Sequence, residues 1–123
     1  MNPLLADCPD AVRAYLTLAG GADRTAAVAL FGDDAQVTDD GHRYTGPAEI
    51  RTWLGRVANQ YSYTTTPIAV RNDSAAGQTS VRCRIEGTFP GGLVDLDYRF
   101  RLDGSGRLLR LAITPSAEQP ESV

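Results

Sequence analysis

The segment TSVRCRIEGTF, residues 79–89, alternates strictly: Val81, Cys83, Ile85, Gly87 and Phe89 fall on one face, and Arg82, Arg84, Glu86 and Thr88 on the other. A period of two sustained over this length is the signature of a half-buried β-strand. Pro90-Gly91-Gly92 turns the chain. Leu93–Leu102 then repeats the pattern, with Val94, Leu96, Tyr98, Phe100 and Leu102 opposite Asp95, Asp97, Arg99 and Arg101. Asp103-Gly104-Ser105-Gly106 predicts a hairpin turn into a last strand over 107–114. Upstream, residues 61–70 are rich in Tyr, Thr, Ile and Val and predict a further strand, joined to 79–89 by the loop 72–77. Long antiparallel strands with one apolar face require a cover.

The N-terminal half supplies that cover. Val12, Tyr15, Leu16 and Ala19 recur at i, i+3, i+4, i+7, one face of a helix over 10–19. Asp10 suits its positive end, and Gly20-Gly21 stops it. Asp23 is placed to cap a short second helix over 25–31, ended by Gly32-Asp33-Asp34. Residues 35–39 read as a strand with Ala35, Val37 and Asp39 on one face, followed by an Asp40-Gly41 turn that includes His42 and Arg43. Gly46-Pro47 opens a third helix whose stripe is Ile50, Trp53, Leu54 and Val57. The expected architecture is α+β: three N-terminal helices packed on a curved antiparallel sheet, forming a cone around one apolar pocket. Residues 1–114 make one domain. Residues 115–123 are polar, contain two prolines and predict a flexible C-terminal tail.

Composition narrows the function. The 123 residues are 42% hydrophobic and 22% charged, which fits one globular domain and leaves no room for a separate cofactor domain. A net charge of −3, with arginines scattered from Arg51 to Arg110, argues against a nucleic-acid surface. The two cysteines, Cys8 and Cys83, form no CxxC or Cys/His cluster, so zinc is not indicated. The first nine residues lack a signal-peptide pattern, and no stretch reaches membrane-spanning length. The expectation is a cytoplasmic protein with free thiols and no membrane partner.

Three segments carry a resemblance. Residues 30–39, LFGDDAQVTD, resemble a signature of the nuclear-transport-factor-2-like (NTF2-like) superfamily. Residues 44–53, YTGPAEIRTW, are similar to its helix start, and 98–108, YRFRLDGSGRL, to its late strand and hairpin. Within the superfamily the chain resembles the SnoaL-like proteins and the ketosteroid isomerases most. The resemblance implies a cone-shaped fold, a pocket for a small apolar organic ligand, no organic cofactor and pairing into a homodimer through the sheet. It also implies proton transfer on an apolar ketone of ketosteroid or polyketide type, as in isomerases and cyclases. Such chemistry uses a carboxylate base and hydrogen-bond donors to an enolate oxygen. Tyr15 matches the isomerase oxyanion tyrosine and Asp39 the base. The third donor, an acid in isomerases, falls on Tyr98. Asp97 lies one residue away, and alternation turns it to the polar face. Leu54 and Phe31 stand where some isomerases carry tyrosines.

The expected catalytic pair is therefore Asp39 and Tyr15, in a pocket walled by Tyr98, Trp53, Phe31, Leu54, Val37 and Phe100. Each residue also has a structural alternative. Asp39 could bond its own turn, while Tyr15 and Tyr98 could be core tyrosines with satisfied hydroxyls. His42 reads as an exposed turn residue, Cys83 as a small buried hydrophobe and Asp33-Asp34 as turn chemistry rather than a metal site. A non-catalytic ligand-binding or accessory module stays open beside the enzyme. Epoxide hydrolysis through an Asp-Arg-Asp set ranks lower, because Asp97 and Arg99 face away from the pocket.

Overall fold

The two alternating segments lie side by side in a six-stranded sheet of order β2-β1-β6-β5-β4-β3. The strands are β1 (Phe31–Asp39), β2 (His42–Thr45), β3 (Tyr63–Asp73), β4 (Gln78–Gly87), β5 (Leu93–Leu102) and β6 (Leu108–Pro115). The computed structural model describes residues 3–19, 24–60, 63–73, 75–117 and 119. Gly20-Gly21 and Asp23, expected to stop one helix and cap the next, lie outside the described residues, as do Tyr61, Ser74 and much of the tail. The Ala19 and Val57 side chains of the helical stripes lie outside them too.

Alternation is realised as expected. On β4, Val81 and Cys83 are fully buried and Ile85 nearly so, while Arg82 and Arg84 point away. On the outward face Arg84 grips the buried Asp95 with two bonds, Nε to Oδ1 at 3.0 Å and Nη2 to Oδ2 at 3.1 Å. Arg82 Nε donates to Asp97 Oδ1 at 2.9 Å. These cross-strand pairs hold the register of β4 against β5.

Two features of the sheet differ from expectation. It is mixed, because β1 runs parallel to β6. Parallel neighbours need a long connection, and here α2 and four strands intervene between them. The Asp40-Gly41 turn also leads directly into β2, a four-residue edge strand. Asp40 (φ 51°) and Gly41 (φ 77°) both take the left-handed conformation of a two-residue hairpin turn, which pairs Asp39 with His42.

The cover consists of two α-helices and a 3₁₀ segment. Helix α1 (Asp10–Ala19) buries Val12, Tyr15 and Leu16. The expected second helix is 3₁₀ over Arg24–Leu30. Seven residues complete fewer than two α-turns, too few to offset the cost of nucleation. Helix α2 (Gly46–Gln60) buries Ile50, Trp53 and Leu54 and follows β2, so it is not N-terminal to the sheet. Glu49 accepts the Thr45 N–H at 3.0 Å near its positive end. A further 3₁₀ turn, Pro3–Leu5, buries Leu5.

The tail is anchored where it is described. Pro115 is the last residue of β6 and pairs with Leu96. Ser116 is buried, its N–H donating to the Asp95 carbonyl at 2.9 Å and its hydroxyl to Asp97 at 2.7 Å. The Gln119 side-chain amide accepts the Asp95 N–H and donates to the Asp95 carbonyl, both at 2.9 Å. One side chain thus supplies the donor and acceptor that another strand residue would have offered.

Candidate functional site

The concave face of the sheet and the two α-helices enclose a cavity of about 610 Å³. Each wall comes from a different element. Tyr15 descends from α1, Trp53 and Leu54 from α2, and Asp39 and Asp40 from the end of β1. Tyr63 and Thr65 come from β3, Ile85 from β4, Phe89 and Pro90 from the turn after it, and Val94, Leu96 and Tyr98 from β5. Ile113 and Pro115 of β6 complete it.

Asp39 is the polar centre of this surface. The alternation Ala35, Val37, Asp39 places its carboxyl on the inner face at the last residue of β1. The Trp53 indole Nε1–H donates to Asp39 Oδ2 at 3.0 Å. Oδ1 accepts no hydrogen bond from any described residue. Burial pushes the Asp39 carboxyl above its ordinary 3.8; the Trp53 bond draws it down, Asp40 pushes it up and His42 draws it down.

Tyr98 lines the cavity, and burial holds its phenol well above the ordinary value of 10.0, reinforced by Tyr15, Cys83, Tyr63 and Asp39. It therefore remains protonated and able to donate. Tyr15 is buried and packs edge-on against Phe31 and Phe100, with ring centroids 6.1 and 5.5 Å apart. Its ring lies 6.4 Å from that of Tyr98. Tyr98 in turn stacks on Phe100 at 6.2 Å.

The structure thus brings Asp39, Tyr15, Tyr98, Trp53 and Leu54 to one cavity. Phe31, Val37 and Phe100, expected as walls, are not part of its lining. Val37 and Phe100 are buried one step further in along the faces of Asp39 and Tyr98, and Phe31 is buried at the other end of β1. Phe31 and Phe100 act from there, backing the Tyr15 ring. Sequence reasoning missed Tyr63 and Thr65, which share one face of β3 by alternation. It also missed Asp40, whose turn position gave no hint that it borders a cavity.

Other candidates are placed elsewhere. Asp97 is on the outer face; burial raises its pKa, but the hydrogen bonds from Arg82 and Ser116 and the charges of Arg82 and Arg99 bring it below the ordinary value. Arg99 shares that face and donates to Thr114 at 2.8 Å, so no Asp-Arg-Asp set meets in the cavity. His42 begins β2 and is exposed, with Nδ1 3.1 Å from the Asp40 carbonyl. The Cys83 thiol is fully buried and pushed up to about 12, first by burial and then by Asp97, so it is not a nucleophile. Asp33 and Asp34 are exposed in the irregular stretch of β1 between Phe31 and Gln36. No group of three or more His, Cys, Asp or Glu among the described residues is arranged to hold a metal ion. No described helix is long and apolar enough to span a membrane.

The curved six-stranded sheet closed by helices over an apolar cavity is the NTF2-like fold, which solved structures similar to this chain share. The model of the SnoaL-like domain matches residues 12–110, and the chain belongs to that family. A candidate polyketide cyclase from Sinorhizobium meliloti is similar at 33% identity and a TM-score of 0.80, over 88% of this chain and 96% of that one. A protein of ketosteroid-isomerase-like fold from Catenulispora acidiphila, solved with trimethylamine, is 19% identical with a TM-score of 0.76, over 89% and 87%. The Δ5-3-ketosteroid isomerase of a Mycobacterium species is 21% identical with a TM-score of 0.71, over 86% and 90%. No curated protein matches the chain.

Proposed function

We propose that the protein is an isomerase- or cyclase-type enzyme that moves a proton on an apolar ketone of ketosteroid or polyketide kind. One observation carries this reading: Asp39 lines an apolar cavity with Oδ2 held by Trp53, and no described residue donates to Oδ1. A carboxylate so fixed is oriented, and burial raises its basicity. Asp39 Oδ1 takes the proton from the carbon next to the carbonyl. The phenols of Tyr15 and Tyr98 donate to the oxygen on which charge develops. Asp39 then returns the proton to another carbon of the conjugated system; in a cyclisation the enolate carbon instead adds to a second carbonyl of the same substrate, whose C=O π bond opens to an alkoxide that takes the proton from Asp39. The candidate cyclase at 33% identity supports the same chemistry. The chain is further read as cytoplasmic and as a homodimer joined through the outer face of the sheet.

The alternative is a binding or accessory module. It is favoured by Tyr98, a much weaker acid than the carboxylic acid of the isomerase pattern, standing in the third donor position. The test is ultraviolet turnover of β,γ-unsaturated ketosteroids and polyketide ketones by wild type and Asp39→Asn. Loss of a general base lowers the rate by about 10²–10⁴-fold. Equal rates in the two proteins remove Asp39 as the base, and tight binding without turnover establishes the accessory module.

A further inference from the structure

The cavity wall carries charge of one sign. Asp39 and Asp40 line it, and no described lysine, arginine or histidine does. The arginines of β4 that could have neutralised these carboxylates are on the opposite face of the sheet, bound to Asp95 and Asp97. The same wall is rich in aromatic rings: Tyr15, Trp53, Tyr63, Phe89 and Tyr98. Aromatic faces bear partial negative charge and attract cations, most strongly where water is excluded. The Asp39 carboxylate adds a full charge, and no described residue donates to its Oδ1.

We propose that this cavity binds apolar ammonium ions, either quaternary or protonated tertiary amines, among its aromatic rings with Asp39 as counter-ion. The proposal rests on reading the cavity as the ligand site and adds the ligand's charge. A quaternary ammonium suits the surface because its charge is spread over alkyl groups. It needs no hydrogen-bond acceptor, and its methyl groups pack against Val94, Leu96 and Ile113 as hydrocarbon does. Anionic ligands, such as carboxylates, phosphates and thioesters of phosphorylated carriers, meet two like charges and no cation. An ammonium seated on Asp39 also engages the oxygen proposed as base, so it competes with a ketone for the site.

The test compares isosteres on the full chain by saturation-transfer-difference NMR titration. Choline and 3,3-dimethylbutan-1-ol differ in one central atom, nitrogen against carbon, and hence in charge alone. Choline is expected to bind at least about tenfold more tightly than the neutral alcohol, with 3,3-dimethylbutanoate weakest. Asp39→Asn should remove most of that preference and change alcohol binding less than about twofold. Equal affinity of choline and the alcohol in the wild type overturns the proposal without reference to any variant. So does an Asp39→Asn protein that keeps the preference, or no choline binding at all. Ketone turnover measured in parallel separates the outcomes: turnover without choline binding rejects the ammonium proposal and leaves the enzyme standing. Choline binding without turnover does the reverse.

Discussion

Replacing Trp53 by Phe tests the arrangement on which the site depends. The substitution keeps an aromatic ring beside Tyr44, whose ring lies 6.0 Å from that of Trp53, but removes the Nε1–H that donates to Asp39 Oδ2 at 3.0 Å. That bond forms to a half-buried carboxylate. Hydrogen bonds to charged groups contribute about 1.5–3 kcal/mol. The donor favours the ionised form, so its loss favours the protonated one and the Asp39 pKa rises. At 1.36 kcal/mol per unit, the expected rise is roughly one to two units above the already elevated native value. Carbon-13 NMR titration of the Asp39 side-chain carboxyl in the two proteins measures this directly.

A second readout separates the bond from packing. The lost hydrogen bond matters where Asp39 is ionised and little where it is protonated, whereas the missing ring volume matters equally at every pH. The destabilisation by Trp53→Phe should therefore grow as pH rises through the native Asp39 pKa, above a constant packing loss on the order of 1 kcal/mol. If turnover is found, the acid limb of its kcat/KM profile shifts upward by the same amount as the NMR midpoint. An Asp39 midpoint that stays put or falls in Trp53→Phe refutes the idea that the indole holds the carboxylate.

Other consequences follow from the same geometry. Because the Asp39 pKa is raised on folding, its favourable contribution is present at low pH and lost as pH rises through the native value. Asp39→Asn should thus match or trail the wild type in Tm near pH 4 and exceed it by a few degrees near neutrality. Thermal unfolding across that range checks this, and a Tm difference independent of pH contradicts it. The outer face of β3, β4 and β5, which carries Arg71, Arg82, Arg84 and Arg99, is the face proposed to pair two copies. Light scattering at micromolar concentration should give twice the 13.2 kDa chain mass, and a single 13 kDa species would dismiss the pairing.

The strands were legible because the interior imposes a period of two on any sheet with one buried face. The faces of β4 and β5 follow from residues 79–102 alone. What alternation does not encode is depth. Phe100 and Tyr98 share one face of β5, and Val37 and Asp39 share one face of β1. In each pair the residue nearer the cavity borders open space and the next is enclosed in the core. Nothing in the spacing distinguishes them, because that boundary is set by which neighbours fill the gap. Pairings were harder still. The parallel contact of β1 with β6 joins opposite ends of the chain, and β2 has too few residues and too little burial to leave an apolar pattern.

The polar members of the inner face were the ones that could be read for function. A carboxyl or phenol placed on an apolar stripe loses hydration unless something compensates, so Asp39, Tyr15 and Tyr98 stood out, and the resemblance to the ketosteroid isomerases supplied their expected roles. The compensation itself was not visible. Trp53 reads from its helical phase as one more apolar residue beside Ile50 and Leu54, and only the packing of α2 across the end of β1 brings its N–H to a carboxylate 14 residues away. Gln119 poses the same problem: its composition signals a loose tail, whereas its amide completes the hydrogen bonding of Asp95. In both cases hydrogen-bond complementarity after folding decides the role, and periodicity places a side chain on a face without naming the atom it will meet. The candidate base could therefore be named from the sequence. The indole that holds one of its oxygens could be found only from the fold.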